Sequence, residues 1–205
     1  MKLLLASNNP KKRAELLPFL RDLALEVVSP AEIGGIPDVV EDLPTFRANA
    51  AKKAASAARH SGLFALADDS GLEVDHLKGA PGVLSARWAG VHGDDAANNR
   101  LLVARLKGVP MHKRGARFVC ALALARPDGS IALEVLGSAS GRILELPLGT
   151  RDFGYDPYFL FTEDGFHETG RGFAELTPEE KLRVSHRGRA LKELARRLPG
   201  ILAAT

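Results

Sequence analysis

Four constellations of residues, drawn from short segments of the chain, have chemistry that exceeds what a fold alone asks of them. In LFALADDSGLEVD, Leu63 to Asp75, an apolar run stops at two adjacent carboxylates, Asp68 and Asp69, followed by Ser70 and Gly71. Like charges in contact oppose one another's ionisation, so the pair calls for a cation or for a reaction that uses it. Glu41 and Asp42, in VVEDLP, precede a helix that returns the chain to this strand, so both acidic segments can flank one cleft. Three or four carboxylates form an oxygen set suited to Mg2+, an ion that also binds substrate phosphates; held there, it would relieve the repulsion and activate a water. Read in isolation, DDSG is equally a turn capped by Asp68 with Asp69 in solvent.

SNNPKK, from Ser7 to Lys12, leaves a strand and enters a helix. First-turn N–H groups favour an anion, and Lys11 and Lys12 add charge, so a phosphate site fits; simple capping by Ser7 or Asn9 fits too, because the glycines of a P-loop are absent. FGYDPYFLF, Phe153 to Phe161, offers aromatics around Gly and Asp-Pro, able to stack on a planar ring or to pack a core. KLRVSHRGRA supplies donors in Lys181, His186 and Arg187, with a surface role open to His186. Together the four provide phosphate donors, metal ligands, a stacking surface and base-edge donors, the components of a nucleoside triphosphate site.

The elements that must position them alternate between strand and helix. KLLLAS reads as a buried parallel strand, NNPKKRAELLPFL as a helix with Leu16, Leu17 and Leu20 at helical spacing, and LEVVSP as a second strand. TFRANAAKKAASAARHSG is an alanine-rich helix capped by Thr45 and ended by Gly62. Leu63 to Ala67 is a strand ending at the aspartates, GLEVDHL another, KGAPGVLSARWAG a Gly/Pro loop, and DDAANNRLLVARLKGV a helix opened by Asp94 or Asp95. A long hairpin turns at PDGS, YFLF is a short strand, and LTPEEKLRVSHRGRALKELARRL is helical behind a capping box of Thr177, Pro178 and Glu180. βαβ units beside an antiparallel hairpin predict an α/β fold with a mixed sheet.

The 205 residues are enough for a sizeable core in one folding unit, residues 1–205. The 45% hydrophobic and 26% charged composition is that of an ordinary soluble globular protein. The apolar start is too short for a signal-peptide core or a membrane span, which gives cytoplasm as the expectation and no membrane. Cys120, alone in RFVCALALA, reads as a buried small hydrophobe and excludes a disulfide framework or a cysteine zinc site. The net charge of +3 hides an asymmetry: residues 181–205 carry seven Lys/Arg against Glu193 alone. Such a cluster draws polyanions, nucleic acid or a nucleotide's phosphates. Nucleic acid is disfavoured, because 181–197 has no aromatic residue for stacking and the rest of the chain is net negative.

The sequence resembles the inosine triphosphate pyrophosphatase family along nearly its whole length, through SNNPKKRAE, TFRANAAKKA, ADDSGLEVD, GAPGVLSAR, FGYDP and AELTPEEKLRVSHRG, in that order. The resemblance implies hydrolysis of ITP, dITP and XTP to the monophosphate and pyrophosphate, cleansing the nucleotide pool, with pyrophosphatases of other modified nucleotides as the alternative. It implies a long mixed central sheet flanked by helices, two lobes around a cleft, and a homodimer. Ser7, Asn8, Asn9, Pro10, Lys11 and Lys12 would take the triphosphate, with Lys53 facing it. Glu41 and Asp69 would hold Mg2+, Asp69 would orient and deprotonate the attacking water, Asp68 would support them, and Ser70 would touch the substrate. Phe153 would stack on the purine, Gly154, Tyr155 and Asp156 would line the pocket, and Lys181, His186 and Arg187 would reach the base edge. The chain departs from the family pattern in EDLPTF, where glycine often precedes Thr-Phe, at Ala48, where glutamate is frequent, and in LGTRD ahead of FGYDP.

Overall fold

A computed structural model describes residues 2–7, 9–21, 25–151 and 154–203 of the chain. Six strands form one sheet: β1 (Lys2–Leu5), β2 (Glu26–Val28), β3 (Phe64–Val74), β4 (Gly115–Ala125), β5 (Ile131–Ile143) and β6 (Phe159–Phe161), in the order β2-β1-β3-β4-β5-β6. β1 is parallel to both neighbours, pairing Leu3 with Val27 and Leu5 with Leu66, while β5 and β6 are antiparallel, pairing Arg142 with Leu160. The fold is therefore α/β with a mixed sheet, as the alternation of elements predicts.

The chain divides into two compact units. The first comprises residues 1–69, 120–137 and 189–205. Its helices are α1 (Pro10–Arg21) and α2 (Phe46–Ser61). Leu3, Leu4 and Leu5 are buried, as a strand covered on both faces requires. α2 presents Ala50, Ala54 and Ala57 inward at helical spacing; Thr45 caps it by accepting from the Ala48 N–H, and Gly62 ends it in the left-handed conformation.

The second unit comprises residues 70–119 and 138–188, with α3 (Asp95–Arg105) capped by Asp94 and α4 (Pro178–Val184) opened by the Thr177 and Glu180 capping box. Phe118, Phe159 and Phe173 centre its core, with Phe159 lying 4.7 Å from each of the other two rings. α5 (His186–Ala203) begins in this unit and continues in the first.

Three expectations need correction. Phe64 to Ala67 and the GLEV of GLEVDHL are one strand, β3, so the aspartates sit mid-strand and do not end it, while Asp75–Leu77 is a 3-10 turn; the aspartates' charges meet lysines on neighbouring helices, and nothing forces the chain to turn at them. The capped-turn reading of DDSG falls with it. The single helix after Thr177 breaks at Ser185, whose backbone is extended, into α4 and α5. The Gly/Pro loop KGAPGVLSARWAG stands as read and carries a short 3-10 turn, Gly82–Arg87.

Candidate active site

In the first unit the charged residues gather beyond the carboxyl end of β1. Since Leu5 pairs with Leu66, Ser7 leaves β1 level with the continuation of β3 toward Asp68. The helix α1 then opens with Asn9, whose side-chain oxygen accepts from the Lys12 N–H at 3.1 Å, so Asn9 caps. Lys12 Nζ lies 2.9 Å from Asp68 Oδ2, and both are largely covered.

Successive side chains of a strand point to opposite faces, so Asp68 and Asp69 look away from each other. Asp69 turns to α2, where Lys53 Nζ stands 3.9 Å from Asp69 Oδ1 and 2.6 Å from Glu41 Oε1. One ammonium thus gathers the carboxylates from the loop and from the strand. Burial pushes the Asp69 carboxyl up to about 6; Lys53 opposes the rise, and Glu41 and Asp68 add to it. Burial also works against the Lys53 charge, but Asp68, Asp69 and Glu41 outweigh it and hold its pKa above the ordinary lysine value.

The loop bearing Glu41 is pinned by a residue that sequence reasoning passed over. Asn49 is fully buried on α2, accepts from the Leu43 N–H at 3.0 Å and donates to the Leu43 carbonyl at 3.1 Å. An amide among the inward alanines of an amphipathic helix was the available signal, since a buried polar side chain needs partners. Asp42, by contrast, pairs with Lys52 at 2.7 Å at the exposed edge and stays apart from the Asp69 cluster.

The second unit holds the other predicted residues. Lys181 on α4 pairs with Asp156, itself buried. His186 and Arg187 are also buried, which corrects the surface placement open to His186: its ring stacks on Phe118 at 4.8 Å and 11°, and Phe118 stacks in turn on Phe173 at 5.7 Å. Tyr155 is buried and its hydroxyl donates to the Ser85 carbonyl at 2.9 Å; burial, and then the charge of Asp95, raise its pKa. Ser70 lies within β3. Asn8 and Phe153 lie outside the described residues, as do the side chains of Pro10 and Lys11. Arg151, at the departure LGTRD, donates to the Leu176 carbonyl at 2.7 Å, so its guanidinium braces the start of α4.

Among the described residues no group of three or more His, Cys, Asp or Glu is close enough to cage a metal ion. The donors present are the hard carboxylate oxygens of Glu41 and Asp69, already converging on one positive centre, Lys53 Nζ. Mg2+ is commonly held by one or two carboxylates together with substrate phosphates, and this pair fits that mode.

The Ham1 family profile matches residues 3–197. The dITP/XTP pyrophosphatase of Corynebacterium diphtheriae is 49% identical over 95% of this chain and 95% of its own. That of Desulforamulus reducens is 51% identical over 94% and 93%. Among solved structures, a HAM1 protein from Coxiella burnetii superposes with a TM-score of 0.86 at 39% identity, covering 98% of this chain and 99% of that one. The nucleoside-triphosphatase / dITP/XTP pyrophosphatase of Mycobacterium abscessus gives 0.76 at 49% identity, covering 95% and 97%. A profile match from the first strand into the last helix, with similarity of this depth along the whole length between, establishes that the chain belongs to the Ham1 family.

Proposed function

We propose that the protein hydrolyses noncanonical purine nucleoside triphosphates, ITP, dITP and XTP, to the nucleoside monophosphate and pyrophosphate. The observation that carries the reading is Asp69: a buried carboxylate, its pKa pushed up to about 6, beside a lysine and a second carboxylate. A carboxylate of raised pKa is a better base than an exposed one and is still ionised at neutral pH. The names of the relatives, dITP/XTP pyrophosphatase, point to the same chemistry.

Asp69 accepts a proton from water as its oxygen attacks the α-phosphorus; the bond to the bridging oxygen of the β-phosphate breaks, and pyrophosphate leaves with the electron pair. Lys12 and Lys53 neutralise the phosphates, Asn9 holds the first turn of α1 so that its N–H groups face an anion, and Asp68 keeps Lys12 in place. Mg2+, when bound by Glu41 and Asp69, supplies further charge neutralisation and makes water more acidic. Glu41, presented by the Asn49 clamp, keeps Lys53 against Asp69.

For the base, His186, Arg187 and Lys181 provide donors. Hypoxanthine and xanthine offer a 6-oxo acceptor where adenine has an amino donor, so ATP would leave these groups unsatisfied at roughly 1–3 kcal/mol each. The stack of His186 on Phe118 and Phe173 fixes the imidazole plane, so its direction of donation is set before substrate arrives. Pyrophosphate release from a panel of ITP, dITP, XTP, ATP, GTP and a modified pyrimidine triphosphate tests the selectivity. The expected kcat/KM for ITP exceeds that for ATP by ~100-fold or more. Equal values would refute the base reading, and a preference for the pyrimidine would place the activity in the related class acting on other modified nucleotides.

The same reading places the enzyme in the cytoplasm, where its substrates arise, as a homodimer. None of the described helices is long and apolar enough to cross a membrane. Sedimentation velocity checks the assembly: a species of twice 21.9 kDa is expected, and a monomer throughout the micromolar range contradicts it.

A further inference from the structure

Three consecutive residues of the segment Gly154 to Asp156 are each held by a different element of the second unit. Tyr155 donates from its hydroxyl to the Ser85 carbonyl at 2.9 Å, and Asp156 pairs with Lys181 of α4. Gly154 is held by α3 at both ends of its own residue. Its N–H donates to Asp95 Oδ2 at 3.0 Å, and its carbonyl accepts from Asn99 Nδ2 at 2.8 Å. Asp95 and Asn99 are four apart and so share one face of the helix, which lets the two side chains grip a single residue through the two peptide groups that flank its Cα. Asn99 is buried, as such a grip needs.

The grip is specific in its chemistry. An acceptor is required at 95 and a donor at 99, and the residue held must tolerate a φ of +57°, which suits glycine. A Cβ at Gly154 would meet nothing within 4 Å, so glycine is needed there for its conformation and not for space. The Ser85 anchor is braced in turn: its hydroxyl accepts from the Leu72 N–H at 2.9 Å and donates to the Gly82 carbonyl at 2.6 Å. The segment therefore has its backbone set by α3, its ring by the 3-10 turn and its carboxylate by α4.

We infer that Asp95 and Asn99 of α3 are positioning residues for base recognition: by clamping Gly154 they fix the segment Gly154 to Asp156, and with it how the purine is read. The inference rests on the pyrophosphatase reading above. Neither residue touches substrate; both act through the backbone of Gly154. The consequence is a division of labour within the second unit, in which α4 and the start of α5 supply donors and α3 supplies register.

The test is steady-state pyrophosphate release by the full chain from ITP and ATP, with inhibition by inorganic triphosphate as a base-free probe and a thermal melt for each variant. Wild type releasing no pyrophosphate from ITP would refute the pyrophosphatase reading itself, separately from this inference. Asn99→Asp sets a carboxylate against the Gly154 carbonyl with almost no change in shape. Its KM for ITP should rise about tenfold or more with kcat little changed, and the preference for ITP over ATP should shrink. Inhibition by inorganic triphosphate should stay as in wild type. Asp95→Ala should do the same, and Asp95→Asn, which keeps an oxygen to accept from Gly154, should recover most of the loss. Should Asn99→Asp fail to fold, Asn99→Ser, too short to reach the carbonyl, and the Asp95 pair give the same readings. Unchanged KM and unchanged preference in folded variants would overturn the inference. So would an equal loss on ITP, ATP and inorganic triphosphate.

Discussion

Adjacent aspartates acquire different roles because a strand turns them to opposite faces. Asp68 meets Lys12 at 2.9 Å, a close ion pair, whereas Asp69 stands 3.9 Å from a lysine already engaged by Glu41. The looser partner leaves burial in control of Asp69, and its carboxyl rises from 3.8 to about 6. The sign of the linkage follows from that rise. A carboxyl harder to ionise when folded than when unfolded imposes no cost below about pH 3.8, a growing cost as pH rises toward 6, and its full cost above that. That cost is on the order of 3 kcal/mol. Asp69→Asn therefore should lose turnover by ~100-fold or more, the contribution of a positioned base, and yet melt several degrees higher than wild type at pH 8 in chelator. The gap in melting temperature should close near pH 4. Differential scanning calorimetry across pH reads it, and a variant that melts at or below wild type at pH 8 would remove the strain assigned to this residue.

At the scale of elements, what was legible was local and what was hidden was long-range. Thr45, Gly62, the PDGS turn and the Thr177 capping box announce themselves within four residues, and each stands where the sequence places it. DDSG misleads because turn chemistry is judged over the same short span, while the lysines that let β3 run straight through come from α1 and α2. His186 misleads likewise: its burial is decided by Phe118, a partner no local pattern reveals. Among the candidate residues, Glu41 with the aspartates and Lys12 with its loop were legible from charge and spacing; Lys53, which joins Glu41 to Asp69, entered only through the family resemblance, and the braces Asn49, Ser85, Asp95 and Asn99 were not legible. Each is a polar residue on an element whose pattern already reads as complete without it. The break between α4 and α5 shows a further case. A Cβ on Gly188 would stand 1.7 Å from the Leu182 carbonyl oxygen and 2.7 Å from its carbonyl carbon, both backbone atoms that cannot swing aside. Glycine is thus what lets the first turn of α5, with His186 and Arg187, pack on the last turn of α4. Gly188→Ala should cost roughly 3 kcal/mol or more, measured by the midpoint of denaturant unfolding. An unshifted midpoint would show that the two helices can part freely.

For the molecule as a whole, strand order decides where chemistry can be built. In β2-β1-β3 the chain leaves β1 in one direction for β2 and returns past it to β3. Right-handed crossovers in opposite directions put α1 and α2 on opposite faces of this part of the sheet, and the point of reversal, at the carboxyl end of β1, is where open α/β sheets accept ligands. Lys12 arrives there from α1 and Lys53 from α2, and mid-strand Asp68 and Asp69, facing opposite ways, receive one each. Ser7 to Lys12 begins at the same reversal, so the phosphate-binding role proposed for this loop and the basic role proposed for Asp69 both derive from topology. The reaction this arrangement serves is hydrolysis at the α-phosphate. Its most direct measurement is the identity of the products when the protein is incubated with ITP and Mg2+ and the mixture is resolved by anion-exchange chromatography. IMP and pyrophosphate in equal amounts are predicted; IDP and orthophosphate would contradict it.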